Sequence, residues 1–152
     1  MTSMPVRHFI NTRWKNTNEK VFLDTNVVVD LLAKRESFYE DATRIFSLAY
    51  NKKIVIVVSP MTYATVSYLL RKNKNFRQLL YNFRQLTDVS LADEKVVDAA
   101  LTSAFDDFED AMQYHSALTS NVEMIITRNV KDFTMSQIPV LTPHEFLQSV
   151  RA

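Results

Sequence analysis

Val21-Phe22-Leu23-Asp24-Thr25-Asn26-Val27-Val28-Val29-Asp30-Leu31-Leu32 changes its apolar rhythm partway along. Val21, Phe22 and Leu23 form a short continuous run suited to a buried strand. Val27, Val28, Leu31 and Leu32 follow at helical spacing. Between the two lie Asp24, Thr25 and Asn26, and Thr25 or Asn26 is the expected cap of the helix. A strand that passes directly into an amphipathic helix is the opening unit of a parallel α/β sheet.

The rest of the chain repeats this alternation. Ile54-Val55-Ile56-Val57-Val58 is β-branched, continuous and bounded by Lys53 and Ser59-Pro60, the strongest strand signal present. Further short strands are expected at Val89, at Met124–Thr127 and at Ile138–Val140, the last on an edge because it contains Pro139. Helices are expected from near Phe38, over Met61 to about Lys72, and over about Asn75 to Leu86. Others run from Asp93 through Ala100 and from roughly Asp106 to Leu118. Thr142-Pro143-His144-Glu145 reads as a capping box with proline at the first helical position. The fold class that follows is α/β, three layers, with a central and mostly parallel sheet. Residues 1–20 are polar and mildly basic and read as an extension ahead of one domain spanning residues 21–150.

Composition narrows the chemistry. The chain of 152 residues has no cysteine, which excludes disulfides, thiolate nucleophiles and cysteine-bound zinc. It also has no glycine, so the dinucleotide fingerprint, the P-loop and the glycine-flanked nucleophile elbow cannot be built. No apolar run approaches a membrane span or a secretory signal, and a cytoplasmic protein without membrane contact is the simplest expectation. Net charge is only +1, yet Ala42 to Thr87 carries eight Lys or Arg and no acid. Asp88 to Glu123 carries nine acids against Lys95. Solvated helix faces account for such a split, and so does a polyanionic partner.

Ligands of open parallel sheets bind beyond the carboxyl ends of the strands. Asp24 follows the first strand, and Arg128, Asn129 and Asp132 follow the strand ending at Thr127. The helix leading into that strand opens with Asp106, Asp107, Glu109 and Asp110, spaced so that one face can present two carboxylates. Acids in a first helical turn also complement the helix dipole, so each alone has a structural explanation. Gathered at one sheet edge, they repel one another unless a cation neutralises them, and oxygen ligands suit Mg²⁺ or Mn²⁺.

Four segments together resemble the PIN domain family. They are Val21 to Leu32, Ser59-Pro60-Met61-Thr62-Tyr63-Ala64-Thr65, Asp110 to Ala117, and Ile125-Ile126-Thr127-Arg128-Asn129-Val130-Lys131-Asp132-Phe133. The resemblance implies a metal-dependent ribonuclease of the VapC-like toxin kind, acting on RNA with Mg²⁺ or Mn²⁺. It also implies a cognate antitoxin protein as partner, and homodimerisation. Position by position, Asp24 and Asp110 match family acids, Asn129 and Asp132 stand at the last acidic turn, and Asp107 is a supporting metal ligand. Thr25, Asn26, Thr65, Glu109 and Thr127 are expected to line the site. Arg71, Lys72, Lys74 and Arg77 are expected to guide the RNA backbone.

The departure is Thr65, where the family pattern has a glutamate. Threonine is short and neutral, so the resemblance also admits a PIN-like module that binds RNA or protein without cutting. A phosphatase using Asp24 as nucleophile fits less well, because Asn26 stands where that pattern has a second aspartate.

Overall fold

The computed structural model describes residues 19–150. The extension expected for residues 1–20 therefore lies outside the described residues, save that Lys20 already belongs to the first strand. In chain order the elements are β1 (Lys20–Leu23), α1 (Thr25–Leu32), α2 (Tyr39–Tyr50), β2 (Val55–Val58), α3 (Pro60–Leu69) and α4 (Phe76–Gln85). Then come β3 (Asp88–Val89), α5 (Glu94–Leu101), α6 (Phe108–Leu118), β4 (Met124–Ile126), a 3₁₀ turn (Val130–Phe133), β5 (Val140–Leu141) and α7 (Pro143–Ser149).

The five strands form one sheet in the order β3-β2-β1-β4-β5, and every pairing is parallel. β1 is central: Phe22 pairs with Val57 on one side and with Ile125 on the other. Side chains alternate across a strand, so the sheet divides the core in two. Val21, Leu23, Ile56, Val58, Met124 and Ile126 face the layer that holds Val28, Ile45, Val66, Phe83 and Phe146. Phe22, Val57 and Ile125 face the opposite layer with Tyr114, Ala117 and Phe133. Helices α1, α2, α3, α4 and α7 contribute to the first layer, and α6, with α5 packed on it, covers the second. The three-layer α/β/α arrangement expected from the alternation is thus present, with a wholly parallel sheet. Among the described residues, no helix is long and apolar enough to cross a membrane.

Boundaries shift in ways that bear on the site. The first helix is capped by Asp24, not by Thr25 or Asn26. Helix α6 starts at Phe108, so Asp106 precedes it and Asp107 is its cap. The capping box at the last helix forms as expected, with Thr142 and Glu145 each accepting from the other's backbone N–H at 3.0 and 2.9 Å.

The missing glycines leave a mark on the turns. Lys34, Lys52 and Asn121 take the left-handed conformation that glycine usually supplies. After α1, the N–H of Arg35 donates back to Asp30 O at 3.1 Å. After α2, the N–H of Lys53 donates to Leu48 O at 2.8 Å. These are the long bonds of Schellman turns, closed here around a lysine.

Phe22 is fully buried on the central strand with no room to relax. Phe22→Ala is expected to lower unfolding free energy by about 3–5 kcal/mol in urea denaturation, the range for a large core truncation that leaves a cavity.

Candidate active site at the carboxyl edge of the sheet

Asp24 is where β1 ends and α1 begins. Its N–H still donates to Ile126 O at 3.0 Å, continuing the sheet, while its side chain turns into the layer above. The carboxylate is 7% exposed and accepts from four donors. Oδ1 receives the Thr25 N–H at 2.9 Å and Gln113 Nε2 at 3.0 Å. Oδ2 receives Thr127 Oγ1 at 2.8 Å and, more loosely, Asn26 Nδ2 at 3.5 Å. None of these donors carries a charge, so hydrogen bonds orient the carboxylate without neutralising it.

Gln113 was not a sequence candidate. It is 2% exposed on α6, and its amide joins three elements. Nε2 reaches Asp24, and also Thr25 Oγ1 and Thr62 Oγ1, both at 3.3 Å. Its Oε1 accepts from the hydroxyl of Ser59, the cap of α3. Thr25 and Thr62 are themselves joined at 2.7 Å. One signal pointed to Gln113: it lies three residues after Asp110, on a helix face otherwise buried through Ala111, Tyr114 and Ala117.

Thr127, fully buried at the end of β4, holds the other flank. Its hydroxyl donates to Asp24 and accepts from Asn26 Nδ2 at 3.2 Å and from the Asn129 N–H at 3.1 Å. The next residue is locked as well. Arg128 grips Asp30 through Nε at 2.7 Å and Nη2 at 3.3 Å, its N–H donates to Asn26 Oδ1 at 3.2 Å, and its guanidinium lies 3.9 Å from the centre of the Phe38 ring. Asp30, 1% exposed, is a buried charge made tolerable by this bidentate pair.

Asp24, Thr25, Asn26, Thr65, Glu109, Asp110, Gln113 and Asn129 all border one hollow of about 280 Å³. Thr65 is therefore in the wall of the hollow, where a glutamate would add a carboxylate. Arg35, which sequence reasoning passed over, is the one cationic side chain on this lining. Thr127 lies beneath, bonded to Asp24.

Asp107 and the basic candidates do not border this hollow. The Asp107 carboxylate accepts the Asp110 N–H at 3.0 Å as the helix cap. Asp107 and Asp132 line a neighbouring hollow with Asp106 and Lys131, and Asp110 stands on the rim common to both. Among the described residues no three Asp, Glu or His side chains converge tightly enough to form a metal cage. The basic candidates also lie elsewhere: Arg71, Lys72 and Lys74 occupy the turn between α3 and α4. Arg71 lies 4.0 Å over the Tyr68 ring, and Arg77 borders a separate hollow with Phe76 and Tyr63.

Partial burial, then the charges of Asp107, Asp24, Asp132 and Glu109, push the Asp110 carboxyl up from its ordinary 3.8 to about 7. Among the described residues no Lys or Arg forms an ion pair with Asp24 or Asp110. The oxygen-rich lining and the excess of carboxylates together fit a hard divalent cation that keeps several of its waters.

A family model described as "PIN domain" matches residues 20–131. Ribonuclease VapC1 of Aquifex aeolicus (strain VF5) is 28% identical over 138 residues, covering 86% of this chain and 95% of that protein. Among solved structures, a toxin–antitoxin complex from Klebsiella pneumoniae aligns with a TM-score of 0.63 at 23% identity, over 82% of this chain and 98% of that one. VapBC2 from Rickettsia felis, bound to a DNA fragment from its promoter, aligns with a TM-score of 0.56 at 21% identity. That match covers 80% of this chain and 96% of that one. At such identities the solved structures support the fold.

The Asp110 shift has a sign that can be measured. An unfolded chain releases this proton near 3.8 and the folded protein near 7, so between those values the folded state holds more protons. The contribution of Asp110 to stability in chelator therefore falls as pH rises through that window and is level on either side. Asp110→Asn is expected to remove this slope, its margin over wild type growing from about pH 4 to about pH 7 and then staying constant. Urea melts at several pH values check this; a margin independent of pH would reject the electrostatic account.

Proposed function

The chain belongs to the PIN domain family, and from that premise we propose that it is a divalent-metal-dependent endoribonuclease of the VapC-like toxin kind. The observation that carries this reading is that Asp24 and Asp110, far apart in the sequence, border one hollow and that, among the described residues, no base is ion-paired to either. Asp24 and Asp110 would hold Mg²⁺ or Mn²⁺, with Asn129 at the edge to orient water or a phosphate oxygen. Bound there, the ion supplies an activated water and stabilises the charge developing on the phosphodiester.

The chain's own residues do the rest. Gln113 and Thr127 fix the Asp24 carboxylate in one orientation, so that it need not reorganise when charge develops. Asp110 arrives with its proton held up to about neutral pH, so binding a cation there releases that proton and strengthens as pH rises. Asp107 and Asp132 act through their charge on Asp110 and from the adjoining hollow, where they would support the ion at most through water.

An antitoxin protein is the partner this reading implies, and toxin–antitoxin complexes among the similar structures support it. The chain offers a broad apolar groove of about 720 Å³ between α1, α2 and α4, with Leu31, Leu32, Phe46, Leu79 and Phe83 in its walls.

Thr65 favours a second reading, a PIN-like module that binds RNA or a partner without cutting. The two part experimentally. If the site is catalytic, Asp24→Asn lowers Mn²⁺-dependent cleavage of single-stranded RNA by on the order of 10²-fold or more, without loss of fold by circular dichroism. Cleavage that survives in both Asp24→Asn and Asp110→Asn would end the nuclease assignment for this hollow. Thr65→Glu supplies the missing carboxylate and is expected to tighten Mn²⁺ binding by about tenfold or more in calorimetry. It should also lower stability in chelator, because it adds one more unbalanced charge.

A further inference from the structure

A site for RNA must attract phosphate as well as cations, and the basic residues between Arg71 and Arg77 do not border the carboxylate hollow. Arg35 does. Its position is set by the backbone: its N–H closes the Schellman turn on Asp30 O at 3.1 Å. Its carbonyl accepts from the Phe38 and Tyr39 N–H groups at 3.0 and 2.7 Å at the start of α2. The base of the side chain is therefore rigid, while the side chain itself is 47% exposed.

Among the described residues its guanidinium makes one ion pair, and that one is long. The nearest acid is Asp30, at 3.9 Å, and Asp30 is already bound through both oxygens to Arg128 at 2.7 and 3.3 Å. Asp30 needs one cation and has it. Arg35 can leave this long contact without stranding a buried charge.

The same lining supplies the second half of the argument. Thr65 borders the same hollow and brings no charge. A pair of cations at a phosphodiester requires enough carboxylates to hold both, and this lining is one short of the family pattern. A planar guanidinium offers the transferring phosphate two parallel N–H donors and a permanent positive charge, with no ligands of its own to find.

We propose that Arg35 is a phosphate-binding residue for the substrate strand, supplying beside Asp24 and Asp110 the positive charge that a second metal ion would supply if position 65 carried a carboxylate. The proposal rests on the nuclease reading of the hollow and goes further by assigning the charge that meets the scissile phosphate.

The test is binding of a 5′-labelled single-stranded RNA oligonucleotide by fluorescence anisotropy, in chelator and again with Ca²⁺, across a salt series. Arg35→Gln is expected to weaken binding about tenfold and to make the slope of log affinity against log salt shallower by about 0.7, one phosphate contact on a single strand. Arg35→Lys keeps the slope and recovers only part of the affinity. Mn²⁺ binding in the absence of RNA is not weakened by Arg35→Gln. In that background Thr65→Glu restores RNA affinity in Mn²⁺ and not in chelator.

Equal affinity and equal slope for Arg35→Gln and wild type would overturn the assignment. If wild type still cleaves RNA in an Asp24-dependent way, the nuclease reading survives that result and only the role of Arg35 falls. Failure of wild type itself to bind or cleave RNA would remove both.

Discussion

A single buried carboxylate organises this protein's functional edge. Asp24 ends the central strand, caps the following helix, and stays almost wholly out of water while accepting four hydrogen bonds. Burying an anion costs several kcal/mol unless donors replace its lost hydration. Here the donors come from α1, from β4 and from α6, so satisfying one side chain pins three segments far apart in the chain. Ser59, Thr62 and Gln113 extend the same network to α3. Those bonds tie the carboxylate to segments on both sides of it and hold it in one orientation.

What those donors do not provide is charge. Asp110 borders the same hollow and keeps its proton up to about neutral pH, first because it is partly buried and then because four neighbouring acids repel its charge. The hollow is thus electrostatically incomplete in the protein alone, and a divalent cation is the simplest species to complete it. Thr65 limits how much positive charge can be retained. Arg35, anchored by its backbone and paired among the described residues with one distant acid, adds a positive charge to the same lining. A shorter set of acids and an added arginine are two halves of one charge balance.

The absence of glycine shaped the surroundings of the site as well as what the chain cannot bind. A helix that ends in a left-handed residue ordinarily spends a glycine there. Lys34 takes that conformation instead, and the turn it makes puts Arg35 at the rim of the hollow. Phe38, a little further on, lies flat against the Arg128 guanidinium, which in turn holds Asp30. The loop between the first two helices therefore contributes to the site through a path that no motif describes.

Much of the architecture was legible in residue order alone. Apolar runs three to five residues long alternating with helical periodicity sufficed for the parallel three-layer sheet. Asp24 and Asp110 could be placed at its carboxyl edge, Thr65 only through the family resemblance, and the capping box at Thr142 was readable from four consecutive residues. These features are local: they depend on backbone geometry and on which side of an element faces water. The partners were not legible. Gln113 meets Asp24 across 89 positions, and Arg128 meets Asp30 across 98. Asp107 turns inward as a cap where spacing offered it as a ligand, and Arg35 borders the hollow that Arg71 to Arg77 do not. Periodicity reports how a segment is buried, whereas hydrogen bonds and charge pairs depend on which distant segments are buried together, and only the closed tertiary structure decides that.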